Sequence, residues 1–158
     1  MSTHNKTSET KKHLAKERRA GSRELIDKLV EERTEMLVLF CKLAGLAPFD
    51  DKKHHKPVRE LLQDFCQVLV DYIAAGHFSL YDRIVNSTER RREISELAEQ
   101  LYPRIARSTQ AALDFNDRYD CGDHCQIADN FHDELSRMGE EIASRIEIED
   151  KLIAAVMR

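Results

Sequence analysis

A chain of 158 residues, 41% hydrophobic and 34% charged, is the size of one domain and carries enough apolar material for one core without disulfides or metal. Five glycines, three prolines, no tryptophan and 6% aromatics exclude an all-β chain and point to a helical one. The net charge of -4 is unevenly placed: residues 1–21 hold six Lys/Arg against Glu9 and Glu17, whereas residues 114–150 hold twelve acids against Arg118, Arg137 and Arg145.

An acidic body argues against direct nucleic-acid binding, which leaves a basic footprint. It suits a basic partner, or serves solubility alone. No apolar run approaches the roughly 18 residues of a membrane span, and the N-terminus lacks the apolar stretch of a secretory signal. A cytoplasmic protein is expected.

Residues 1–21 are polar and weakly periodic, and read as a basic mobile tail or a frayed helix start; residues 22–158 read as a single helical domain. From Ser22, Leu25, Ile26, Leu29, Val30, Met36, Leu37, Phe40 and Leu43 recur at three- and four-residue steps, which predicts an amphipathic helix ending at Gly45. A polar loop then runs to Pro57, whose missing N–H suits a first helical turn. The second helix, Val58 to Ala75, carries Leu61, Leu62, Phe65, Cys66, Leu69, Val70 and Ile73 on one stripe and is expected to stop at Gly76. Ser79 and Asp82 have the form of a capping box opening a short helix, Leu80 to Val85, so Gly76-His77-Phe78 reads as a tight corner.

After a break at Asn86-Ser87-Thr88, a long helix is predicted to about Tyr119, kinked or split at Pro103. A turn at Asp120–Asp123 precedes a last helix from about His124 to Val156, with Gly139 its weak point. Strand patterns are missing. The fold class is therefore all-α, an antiparallel up-down bundle of long helices plus a short one.

Cys121, His124 and Cys125, with His132 further along, are ligand types that zinc favours, but the second distant pair of a closed site is missing. Cys41 and Cys66 lie on apolar helix faces and read as core thiols. Asp129-x-x-His132 and Asp51-x-x-His54 supply at most half of a di-iron site. No Gly-x-Ser-x-Gly, phosphate loop or His-Glu-x-x-His is present. A non-enzyme without cofactor or metal is expected. What remains is surface: Asp64 and Asp71 are seven residues apart on one helix face, near Gln67 and Tyr72, with His77, Phe78, Tyr81 and Asp82 beyond. Acid and aromatic groups together suit a basic amphipathic partner helix, and the rings read equally as core.

The run Asp64-Phe-Cys-Gln67, Leu69-Val-Asp-Tyr72 and Ala75-Gly-His-Phe78, followed by Tyr81, resembles the central segment of the Rsd/AlgQ family, bacterial regulators that bind the primary sigma factor of RNA polymerase. Leu25-Ile-Asp27, Glu32-Arg33, Leu43-Ala-Gly-Leu-Ala-Pro48 and Glu149-Asp-Lys-Leu-Ile153 resemble its flanks, so the likeness covers about residues 23–157. The resemblance implies an all-helical anti-sigma factor that takes the C-terminal, promoter −35-reading helix-turn-helix region of the primary sigma, as a monomer bound one-to-one, without membrane or direct nucleic-acid contact. It places sigma binding on Asp64, Phe65, Asp71, Tyr72, His77, Phe78, Tyr81 and Asp82, Asp64 first, since a carboxylate beside an aromatic pairs with a partner Arg. The competing reading is a metal-binding or redox bundle using Cys121, His124, Cys125 and His132. Direct DNA contact through the basic residues 1–21 ranks last, because the body is acidic.

Overall fold

The apolar stripes read above need partners, and they find them in one another. A computed structural model of the chain describes residues 3–46, 58–85, 91–120, 127 and 129–157. Among them are five helices and no strand: α1 (Thr3–Ala44), α2 (Val58–Gly76), α3 (Asp82–Val85), α4 (Arg92–Tyr119) and α5 (Phe131–Val156), with a π-helical turn over His77–Tyr81 between α2 and α3.

Neighbours run antiparallel, as cross-helix contacts show. Phe40 of α1 meets Phe65 of α2 while Leu29 lies against Gly76. Phe65 meets Phe115 of α4 while Tyr81 reaches Ala98. Arg118 and Tyr119 at the end of α4 meet Glu134 at the start of α5, and Arg91 before α4 donates to the carbonyl of Val156 at the end of α5. The aromatic rings of Phe40, Phe65, Phe115, Tyr119 and Phe131 form a chain of contacts, with centroids 4.9–5.9 Å apart, through all four long helices. Leu29, Met36, Phe65, Cys66, Leu69, Tyr72, Ala112, Ile148 and Leu152 are fully excluded from water around it.

The helix ends follow local chemistry. Gly45 closes α1 at φ +68°, and the bonds Gly45 N–H to Lys42 O and Leu46 N–H to Cys41 O make the paired C-terminal motif that a left-handed residue permits. α1 starts at Thr3, so the segment read as tail or helix start is helix continuous with the packed part, its described side chains from Lys6 to Leu14 exposed. α4 runs unbroken through Pro103 as one element, where two pieces were one expectation.

Two boundaries differ from the sequence reading. Gly76 is no corner: it is right-handed helical at φ −61°, ψ −44°, and the chain continues into the π-helical turn, where Asp82 N–H bonds His77 O. Glycine permits a stop without requiring one, and burial of Leu80, Tyr81 and Ile84 holds the following turns against the bundle. The expected cap at Ser79 is replaced by this continuation, and α3 begins at Asp82. The last helix begins at Phe131, after a turn at Asp129-Asn130, with Asp133 and Glu134 in its first turn where acids complement the helix dipole. Gly139 has a positive reason to be there: a Cβ would sit 2.7 Å from the Phe40 ring.

Candidate functional site

Acids of α1 and α2 face a depression between the two helices. Glu35, Val38, Leu39 and Lys42 of α1 and Asp64, Gln67 and Val68 of α2 line a groove of about 490 Å³. Helical spacing creates it: positions 35, 38, 39 and 42 share one face of α1, as 64, 67, 68 and 71 share one face of α2. Val38, Leu39 and Val68 form an apolar floor, and carboxylates stand along its rim. Gln67 Nε2 donates to Asp71 Oδ1 at 3.2 Å, fixing Asp71 two turns beyond Asp64. Glu32 adds a further acid: burial pushes its carboxyl above the usual range, Lys28 pulls it down, and the negative charges of Asp71 and Glu35 push it up again. Glu35 and Asp71 are thus each close enough to repel Glu32, a field that a cation would relieve.

The sequence-selected residues divide. Asp71, His77 and Phe78 are exposed, Phe78 at 65% with its ring edge-on to His77, and Asp64 and Asp82 are half-buried. Positions 64 and 71 follow one side of α2 over about 10 Å, and Phe78 stands beyond them in the π-helical turn. Phe65, Tyr72 and Tyr81 lie in the core instead and offer no surface, because the seven-residue spacing that aligns the acids turns these positions toward α1, α4 and α5. Tyr81 donates to the Ala98 carbonyl at 2.8 Å, and burial pushes its phenol up to about 12.

Tyr72 belongs to a buried polar centre behind the groove. Its hydroxyl donates to Glu149 Oε1. Arg145 Nη1 donates to Ser108 Oγ at 3.0 Å and Thr109 Oγ1 at 2.8 Å, and its Nε stands 3.8 Å from Glu149 Oε2. Arg33 reaches in from α1, 3.7 Å from Glu149 and bonded to Asp150 at 2.8 Å. Burial pushes the Glu149 carboxyl up, opposed by Arg145, the Tyr72 hydroxyl and Arg33. Burial and the neighbouring carboxylate push the Tyr72 phenol far up, so it stays a neutral donor. A Cβ on Gly76 would lie 2.9 Å from Glu149 Oε2, so a larger residue there would make the carboxylate shift. Sequence reasoning passed over Arg145 and Glu149 as site residues, although charged groups at four-residue spacing on the apolar stripe of the last helix were the available signal.

The metal reading gains no support. Cys121, His124 and Cys125 lie outside the described residues, as do Asp51 and His54; His132 is exposed on α5 and Asp129 in the turn before it. Among the described residues no group of three or more His, Cys, Asp or Glu gathers as a metal site. Nor is any described helix long and apolar enough to cross a membrane.

Comparison with known proteins places these features in a family. Residues 9–157 match the family described as "Regulator of RNA polymerase sigma(70) subunit, Rsd/AlgQ". A protein named "Regulator of sigma D" from Yersinia enterocolitica is 38% identical over 143 residues, covering 87% of this chain and 83% of its own. Its namesake from Yersinia pseudotuberculosis is 36% identical over the same length, covering 87% and 82%. That from Shigella dysenteriae is 36% identical over 147 residues, covering 89% of each chain.

Proposed function

Since the chain belongs to the Rsd/AlgQ family of regulators of the RNA polymerase sigma(70) subunit, we propose that it is an anti-sigma factor that holds the C-terminal, promoter −35-reading helix-turn-helix region of the primary sigma one-to-one. It acts in the cytoplasm, as a monomer in the complex and without catalysis, and blocks the use of that region by polymerase. The observation that carries this reading is the acid-rimmed, apolar-floored groove between α1 and α2, with Asp64 in its lining. A DNA-reading helix is basic on the side that meets phosphate, and its apolar side packs in its own domain. Carboxylates at Glu32, Glu35, Asp64 and Asp71 compete for the cations, while Val38, Leu39 and Val68 accept apolar stems of Arg and Lys. Phe78, exposed in the π-helical turn that follows α2, adds an aromatic anchor with its neighbour His77, and Asp82 a further acid at the far end. Residues 1–21 stand as an extension outside this binding unit.

Calorimetry of the full chain with the isolated C-terminal region of the primary sigma tests the reading. Micromolar or tighter one-to-one binding that weakens with salt is expected, because the complementary charges are screened. Asp64→Lys with Asp71→Lys is expected to weaken it by at least about tenfold, since reversing charge turns attraction into repulsion, while the far-ultraviolet circular dichroism stays unchanged. No binding at low or high salt, or full binding by the double variant, would overturn it.

A further inference from the structure

The opening turns of α1 carry a second surface, which the anti-sigma reading leaves unused. Among the residues of α1 whose burial is described, the first buried one is Ile26, about 20 residues and some 30 Å of helix from the start. Along them Lys6, Lys11, Lys12, Lys16 and Arg23 are exposed. Lys12, Lys16 and Arg23, at steps of four and seven, fall within about 40° of one line along the helix and span about 16 Å. Because α1 is unbroken from Thr3 to Ala44, this line is held on the same rod that forms one wall of the groove.

Composition selects the occupant. A membrane-surface helix needs an apolar face, and Leu14 is the one large apolar residue between positions 1 and 24. A stable contact with a second protein copy needs a desolvated apolar centre, which one leucine does not supply. Single-stranded nucleic acid is gripped by stacking on large aromatic side chains, and the chain has no Phe, Tyr or Trp before Phe40. Duplex DNA needs only cations in a row: about 16 Å of its axis carries roughly ten phosphates. We propose that the N-terminal turns of α1 bind the phosphate backbone of duplex DNA, without sequence preference, through Lys12, Lys16 and Arg23. The acidic body explains why such contact is confined to this extension and why it is weak.

The test is fluorescence anisotropy of a labelled duplex titrated with the full chain over a salt series, beside calorimetry with the sigma region. Three cations at phosphates give a log–log salt slope of about −2.7, so moving from 50 to 200 mM salt weakens binding about forty-fold. Lys12→Glu, Lys16→Glu and Arg23→Glu together should abolish DNA binding and leave sigma binding as it was. If that variant loses helix content, the triple glutamine variant, which should flatten the salt slope and leave the helix intact, replaces it. Absence of duplex binding at low salt, undiminished binding by the charge-reversed or glutamine variant, preference for single-stranded RNA, or binding to phosphatidylglycerol vesicles in place of DNA would each overturn the proposal. Failure of sigma binding alone would leave it standing, so the two readings fall separately.

Discussion

Glu149 is held in the interior against two guanidinium groups and a phenol, with 1% of its surface exposed. Its distances to Arg145 and Arg33, 3.8 and 3.7 Å, give charge attraction without hydrogen-bond geometry, and Glu149 Oε2, Arg145 Nε and Arg33 Nη2 have no hydrogen-bond partner. Such a centre contributes little net stability, yet removing one member strands the others. Because burial holds the Glu149 carboxyl above its usual 4.5, the folded chain takes up a proton there more readily than the unfolded one. Its contribution is therefore fully present below pH 4.5 and is lost as pH rises through the raised folded value. Urea denaturation of the native chain and of Glu149→Gln across this window should show the native advantage shrinking as pH rises. An advantage that grows with pH would mean that the two arginines outweigh burial.

The π-helical turn is the element that sequence periodicity missed. Hydrophobic spacing located α1, α2, α4 and the greater part of α5, because each stripe matches a 3.6-residue period that burial then enforces. Gly76 was misread because glycine signals a helix end only where a left-handed residue follows, as at Gly45, and here the backbone stays right-handed. One extra residue in the turn carries no compositional mark. It lets Tyr81 reach Ala98 and ties α3 to α4. Tyr81→Phe removes that bond and should cost about 1 kcal/mol of stability, measured by denaturant midpoint at unchanged slope. An unaltered midpoint would show that the hydroxyl is as well placed in water. The candidate site was legible in a similar measure: Asp64 and Asp71, seven residues apart, share a face of α2, and Phe78 is exposed just beyond it, whereas Phe65, Tyr72 and Tyr81 needed neighbours from other helices to reveal their burial. Glu32, Glu35 and Val38 escaped notice because a groove needs two helices, and one helix's spacing cannot say which face meets the next.

Across the bundle, aromatic contacts and buried charges fasten all four long helices to one centre, so local opening there should coincide with global unfolding. Cys66 reports this. It is wholly buried, and burial, with a smaller push from the charge of Asp120, raises its thiol to about 12. In a variant with the other three cysteines changed to serine, its labelling by a disulfide reagent should proceed at the rate of unfolding, and speed up with denaturant as unfolding does. Labelling much faster than unfolding would reveal a separate opening of α2.

Arg33 has a consequence for synthesis. Its bonded counter-charge, Asp150, lies 117 residues further along, and Glu149 stands beside it. A ribosome adding 5–20 residues per second needs roughly 6 to 23 seconds to supply that acid after Arg33 is made. Through that interval the nascent α1 carries Arg33 without the two acids of α5 that stand beside it in the folded chain. A product truncated before Glu149 would leave Arg33, whose side chain is 11% exposed in the folded chain, with neither of these acids beside it.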